Sequence, residues 1–146
     1  MKIKFKKLHP DAKMPQKAYN DDFCYDVWAV SEEEVAPNVW KYGLGFAIEI
    51  VNDRIEDIQC GITLRPRSSI YKTGMVLSNS IGTIDFSYRG EISAVFYHIL
   101  PNMPRYKIGD KIAQIHMDFS YNMEFEEIDE LSQTNRGIGG FGSTGN

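Results

Sequence analysis

Cysteine is scarce in the 146-residue chain: Cys24 and Cys60 stand far apart and form neither a CxxC nor a Cys/His ligand spacing. That excludes a zinc site of the usual spacing and a disulfide framework, and leaves reduced thiols and a cytoplasmic setting as the expectation. Long apolar runs are missing as well. No stretch approaches the ~18 residues of a membrane-spanning helix, and residues 1–7 alternate lysine with apolar side chains where a signal peptide carries an unbroken apolar segment. Positive charge is not in excess, with 16 Lys+Arg against 20 Asp+Glu and a formal charge of −4. Such a chain has no global field to hold a polynucleotide, and no basic stripe interleaves with aromatics on a strand face. Neither a nucleic-acid nor a membrane partner is expected; a small anion gripped by a few local arginines is. Helical periodicity is lacking too, for no segment of ten or more residues repeats its apolar positions every 3.6 residues.

What is present is alternation. Leu44, Phe46, Ile48 and Ile50 fall on every second position, the pattern of a half-buried strand. Comparable short segments cover residues 3–5, 25–30, 58–64, 83–86, 91–100 and 111–118, separated by Gly, Pro, Asn and Asp. A single domain of this length with many short strands is expected to be all-β, an antiparallel jelly roll or barrel-like sheet structure. One short helical turn is expected over 68–73, ending near Gly74. Composition shifts only late: residues 124–135 are acidic and polar, and five of the twelve glycines follow Arg136. The expected division is a β core over residues 1–125 and a flexible glycine-rich arm over 126–146.

Three stretches can carry chemistry. The tail Arg136-Gly-Ile-Gly-Gly-Phe-Gly-Ser-Thr-Gly145 joins an arginine, five glycines, an aromatic and two hydroxyls. Gly137, Gly139 and Gly142 satisfy GxGxxG, and Gly137, Gly142 and Thr144 nearly satisfy the P-loop pattern with Ser143 in place of lysine. Both motifs need a βαβ setting, which is absent. What survives is a set of glycine N–H groups and hydroxyls able to wrap phosphate oxygens, with Arg136 adding a bidentate contact; the alternative is a disordered tail. In Arg65-Pro-Arg-Ser-Ser-Ile70, Pro66 fixes the approach and Ser68 and Ser69 open the helical turn beside Arg67. That is either an anion site or a capped turn with two solvated arginines. In Ser78-Asn-Ser-Ile-Gly-Thr-Ile-Asp-Phe-Ser-Tyr-Arg-Gly-Glu91, Asp85 stands between Ile84 and Phe86, apolar neighbours expected to raise its carboxyl toward the range of a general base. The alternative is a turn aspartate held by backbone N–H groups. Glu91 invites comparison with the second carboxylate of a glycosidase, but nothing fixes the separation. Glu32, Glu33, Glu34 and the acids of 124–130 read as solvated surface, His98 as a packed or interface histidine, and Asp26 as a buried turn partner.

In their order and spacing these segments resemble the homotrimeric dUTP pyrophosphatase (dUTPase) family, recognised by five short ordered motifs. Pro66-Arg-Ser68 is similar to the second, Gly82-Thr-Ile-Asp-Phe-Ser-Tyr-Arg-Gly90 to the third, Gly109-Asp-Lys-Ile-Ala-Gln114 to the fourth, and the tail from Arg136 to the fifth. The first is the loosest, with Phe23-Cys24 before Tyr25-Asp26-Val27 where the family usually has Ala-Gly. Ser69 replaces a usual glycine and Ser87 a frequent second aspartate.

The resemblance implies a jelly roll, a homotrimer whose sites each draw on three chains, Mg²⁺ as cofactor, and hydrolysis of dUTP to dUMP and pyrophosphate. That reaction keeps uracil out of DNA and supplies dUMP for dTMP synthesis. By the same resemblance Asp85 is the general base for water attack on the α-phosphorus, and Tyr88 packs under the deoxyribose and excludes a 2′-hydroxyl. Asn79, Gly82, Thr83 and Ile84 read uracil, while Arg67, Ser68, Ser69 and Gln114 hold phosphates. Asp26 meets the metal through water, Arg136 meets the γ-phosphate, Phe141 stacks on the base, and Gly142, Ser143 and Thr144 close over the phosphates. Two rivals differ in class. The dCTP deaminases share the fold but carry a catalytic glutamate where this chain has Val95, and they lack the glycine-rich tail. A nucleotide-dependent regulator would bind dUTP and use the closed tail to engage a partner.

Overall fold

A computed structural model describes residues 2–51 and 58–140. Its elements are β1 (Lys2–Lys7), β2 (Tyr25–Trp28), β3 (Ser31–Ala36), β4 (Val39–Gly43), β5 (Phe46–Val51), β6 (Ile58–Pro66), a 3-10 turn (Ser68–Lys72), β7 (Met75–Leu77), β8 (Gly82–Ile84), β9 (Ser93–His98) and β10 (Lys111–Tyr121). All pairings are antiparallel. One sheet runs β2-β10-β6-β8, a second runs β3-β4-β9-β7, and β1 pairs with β5. The expected all-β architecture is therefore met, and the short turn at Ser68–Lys72 is the only helical element among the described residues. No helix is long and apolar enough to cross a membrane.

The period-two reading finds β5, where Phe46, Ile48 and Ile50 are buried together with the preceding Leu44. Strands β3, β4 and β7 were not anticipated. Glu32, Glu33 and Glu34 lie in β3; Glu33 and Glu34 are exposed surface as expected, whereas Glu32 is taken up by Arg105, whose Nη1 and Nη2 donate to its two oxygens at 2.8 and 3.1 Å. The same guanidinium lies 3.7 Å from the centre of the Trp40 ring across β4. Stacking and a bidentate ion pair together hold charged residues where alternation of apolar residues would not have found a strand. His98 is the packed alternative of its two readings, its Nε2 lying 3.0 Å from the Met103 carbonyl.

The core lies between the sheets around Tyr42, Leu44, Phe46, Ile92, Phe96 and Ile112, all essentially inaccessible. The rings of Tyr42, Phe96 and Tyr106 meet edge to face at 5.3 to 6.3 Å, and the Tyr42 hydroxyl donates to the Tyr106 carbonyl at 2.8 Å. Burial pushes the Tyr42 hydroxyl above the usual tyrosine range, so it stays a donor. Truncating a ring in such a cluster typically costs ~3–5 kcal/mol, which makes it a rigid base for the strands above it. Past Tyr121 the chain leaves the sheet: residues 122–140 carry no strand or helix and are almost all exposed, including Phe125 and Leu131.

Candidate active site

The long central strands β6 and β10 fix the site, because their register sets which polar residues share a face. Thr63 stands opposite His116, Arg65 opposite Gln114 and Gly61 opposite Asp118, while β2 adds Asp26 opposite Gln114 and β8 adds Thr83 opposite Thr63. Alternate residues of a strand point to the same side, so these positions form one outer face and Val27, Ile62, Leu64 and Ile115 form the buried one.

At one end of this face lies a compact polar cluster. The Arg67 Nε donates to Asp26 Oδ1 at 2.9 Å, and the Lys111 Nζ donates to Asp26 Oδ2 at 2.9 Å. The Gln114 Nε2 donates to the Pro66 carbonyl at 2.9 Å and so anchors the entry to the 3-10 turn. Arg67 is the extended residue before that turn, and the first N–H groups of any helical turn lack partners within it. Ser69, which stands where the resemblance expects glycine, puts its Oγ 3.4 Å from the Arg67 Nη1 and so braces the guanidinium. Arg67, Ser68, Ser69, Gln114 and Asp26 are thus brought together. Spacing alone did not single out Lys111, which joins them across 85 residues of sequence.

Asp85 lies apart from this cluster. It follows β8, whose Ile84 is opposite Ile62, so Asp85 falls level with Gly61 in the middle of β6, and Arg67, the residue after that strand, lies six positions further along the chain. At ~3.3 Å per residue that is a separation of about 20 Å. Asp85 is exposed, and the apolar setting expected for it is only partly present: Ile84 turns into the core, while Phe86, half-buried against that core, lines one concavity together with Asp85. Two concavities flank it. One of 340 Å³ is lined by Thr83, Ile84, Asp85, Tyr88, Glu91 and Ser93 among others, and one of 630 Å³ by Thr63, Thr83, Asp85, Ser87 and Asp118 among others.

The turn after Asp85 is tightly built. The Tyr88 N–H donates to the Asp85 carbonyl at 3.0 Å, the Tyr88 hydroxyl to the Glu91 carbonyl at 3.0 Å, and Arg89 Nη1 to the Phe86 carbonyl at 2.7 Å. A Cβ on Gly90 would sit 2.6 Å from the Tyr88 Cζ, so only glycine lets that ring pass. Glu91 is not a second reacting acid, for its carboxylate accepts the Gly45 N–H at 2.8 Å and ties the turn between β4 and β5. Strand β8 is the last in its sheet, so one side of Gly82, Thr83 and Ile84 faces no strand among the described residues. The Asn79 amide packs over Gly82, within 3.4 Å of where a Cβ there would stand.

Two departures from the family pattern acquire a physical setting. The Phe23 ring lies 4.9 Å from that of His116, covering the middle of the outer face. Burial raises the neighbouring Cys24 thiol above its ordinary range against the pull of Arg65, so it is a thiol rather than a reactive thiolate. In the arm, Arg136 donates from Nε to its own turn at Gly139, 2.9 Å away, and touches neither end of the site. Phe141, Gly142, Ser143 and Thr144 lie outside the described residues.

For a metal, the only carboxylate beside the phosphate cluster is Asp26, and no group of three or more His, Cys, Asp or Glu could cage an ion among the described residues. A lone carboxylate already bonded to two cations suits a water-mediated contact to an ion carried by a ligand, and does not suit a resident metal.

The fold defines a class, the antiparallel β jelly roll, here with an arginine-bearing polar cluster and an exposed aspartate on one sheet face. The family model described as dUTPase matches residues 10–145. The chain belongs to the dUTPase family and is a dUTP diphosphatase. Among its relatives, the deoxyuridine 5′-triphosphate nucleotidohydrolase of Helicobacter pylori (strain Shi470) is 33% identical over 148 residues, covering 99% of this chain and 97% of the relative. That of Gloeothece citriformis is 37% identical over 147 residues, with 99% and 97% covered. Among solved structures, the dUTPase of Staphylococcus bacteriophage 80alpha with dUPNHPP has a TM-score of 0.78 at 22% identity, over 99% of both chains. A mutant dUTPase from phage phi11 of S. aureus, described with a structural Mg(II) ion, has a TM-score of 0.70 at 19% identity, over 91% of this chain and all of that one.

Proposed function

We propose that the protein hydrolyses dUTP to dUMP and pyrophosphate at sites assembled between copies of the chain, with the magnesium complex of dUTP as substrate. The observation that carries this reading is the placement of Asp85 and the Arg67 cluster on one face of one sheet but well apart, Asp85 level with Gly61 in the middle of β6 and Arg67 just past that strand's last residue. A second copy packed head to tail sets its Asp85 end against the Arg67 end of the first, and a contact that repeats in this way closes into a ring, for which the homotrimer of the family is the natural size.

In the assembled site the free side of β8 reads uracil with backbone groups, which reject cytosine by mismatched donors and acceptors. The braced Tyr88 ring occupies the space a 2′-hydroxyl would need. Arg67, Ser68, Ser69 and Gln114 take the phosphates. Asp26 would hold a magnesium ion carried by the triphosphate through its bound water, and that ion would supply charge neutralisation for the phosphates. Asp85 accepts a proton from water as that oxygen bonds to the α-phosphorus, and the bond from phosphorus to the bridging oxygen breaks. Arg136, Phe141, Gly142, Ser143 and Thr144 then close over the nucleotide and exclude water. Residues 126–146 act as the lid and residues 1–125 as the core. The product removes uracil from the precursors of DNA and supplies dUMP for dTMP synthesis.

The test is pyrophosphate release from dUTP with Mg²⁺ beside dCTP, dTTP and UTP, with ammonia followed in the dCTP sample. Pyrophosphate from dUTP alone is the expected result. Ammonia from dCTP would move the chain to deamination, and tight binding of dUTP without product would make it a regulator.

A further inference from the structure

Lys111 has no part in the roles set out above, yet it is one of the best-held side chains of the phosphate end. Register places it opposite Trp28, and its Nζ lies 5.4 Å from the centre of that indole while donating to Asp26 Oδ2 at 2.9 Å. The Asp26 side chain is 14% exposed and that of Lys111 37%, so the carboxylate is buried while the ammonium stays partly in water. The other oxygen, Oδ1, is taken by the Arg67 Nε at 2.9 Å. One carboxylate between two cations leaves a local charge of +1, which favours an arriving phosphate.

The orientation of Arg67 depends on this arrangement. With Nε on Asp26 and Nη1 near Ser69, the Nη2 hydrogens and one of Nη1 are the donors left for a ligand. An arginine facing an unrestrained carboxylate prefers the bidentate fork, which would draw a terminal nitrogen onto Asp26 as well. Lys111 opposes that by occupying Oδ2. Its ammonium keeps two further donors, so a direct phosphate contact is the alternative that the cycle below separates from the clamp.

We propose that Lys111 is a positioning residue: it clamps Asp26 from the side opposite Arg67, so that the guanidinium is aimed at the phosphates before they arrive. It acts through Asp26 and does not touch the nucleotide. The phosphate contact it prepares belongs to the dUTP reading above, so turnover of Mg–dUTP by the wild type, run in parallel, tests that reading separately.

The experiment is a double-mutant cycle read by calorimetric binding of the magnesium complex of α,β-imido-dUTP to the wild type, Lys111→Met, Asp26→Asn, the double variant and Lys111→Arg. Lys111→Met is expected to weaken binding about tenfold, within the coupling shown by residues of one network, and to do so no further than about twofold in the Asp26→Asn background. Lys111→Arg, which keeps the cation at Asp26, is expected to bind within about threefold of wild type, a rescue that a loss of packing would not give. Multiplying effects of the two single variants would overturn the proposal, since Lys111 would then meet the ligand by itself. Wild-type affinity in Lys111→Met would overturn it as well. A wild type that hydrolyses dUTP while either result holds leaves the functional reading standing without the clamp.

Discussion

Replacing Asp85 by asparagine is expected to lower kcat about 10²–10⁴-fold with dUTP, the contribution of a general base, while nucleotide binding persists. Asparagine keeps the size and the hydrogen-bonding oxygen but cannot take a proton from water. Asp85 is exposed, and the turn behind it is held by backbone and by Tyr88, Arg89 and Glu91, so the fold has no stake in its charge. Steady-state release of pyrophosphate beside calorimetric binding of α,β-imido-dUTP checks both halves of the expectation. Full activity in the variant would remove Asp85 from the chemistry.

The second large effect concerns the arm. A chain ending at Gln133 is expected to fold and assemble as the full chain does, and to lose at least ~10²-fold in kcat/KM, the order lost when a group that positions and encloses a substrate is removed. The core has no need of the missing residues: Arg136 bonds to its own turn at Gly139, and the exposed residues 122–140 add no strand to either sheet. Near-normal turnover by the shortened chain would refute the lid. A shortened chain that no longer folds in a circular-dichroism melt would show the arm to be part of the scaffold.

Much of the fold was legible because alternation is a local signal. Phe46, Ile48 and Ile50 declare β5 without help from the rest of the chain, and the absence of any 3.6-residue stripe foretold that helix would be confined to one turn. Strand β3 was hidden because Glu32, Glu33 and Glu34 show no apolar alternation; it is held by pairing with β4 and by Arg105, which stands 73 residues from the Glu32 it binds. Asp85 illustrates a different limit. Its neighbours Ile84 and Phe86 are apolar, but Ile84 ends a strand with its side chain in the core, and the carboxylate itself stays exposed, so apolar neighbours in sequence did not mean an apolar pocket.

The site was legible as a set of residue types and illegible as geometry. Motif order brought Arg67, Ser68, Gln114 and Asp26 into one list with Asp85, yet strand register sets Asp85 level with Gly61, six residues before Arg67 along the chain. Nothing in the spacing marks that division, since it depends on which strands pair and how far they slide. Lys111 was passed over for the same reason: its partner Asp26 is joined to it only by the register of β10 on β2.

The division of the site between copies is the central claim, and mixing inactive subunits tests it most directly. Asp85→Asn and Arg67→Ala chains, unfolded together in equal amounts and refolded, should each be nearly inactive alone. In random mixed rings a site that takes Asp85 from one copy and Arg67 from the next is intact in roughly a quarter of cases, so the mixture is expected to recover about a quarter of wild-type turnover. Mixed rings seen by native mass spectrometry but without recovered activity would contradict a site shared between chains.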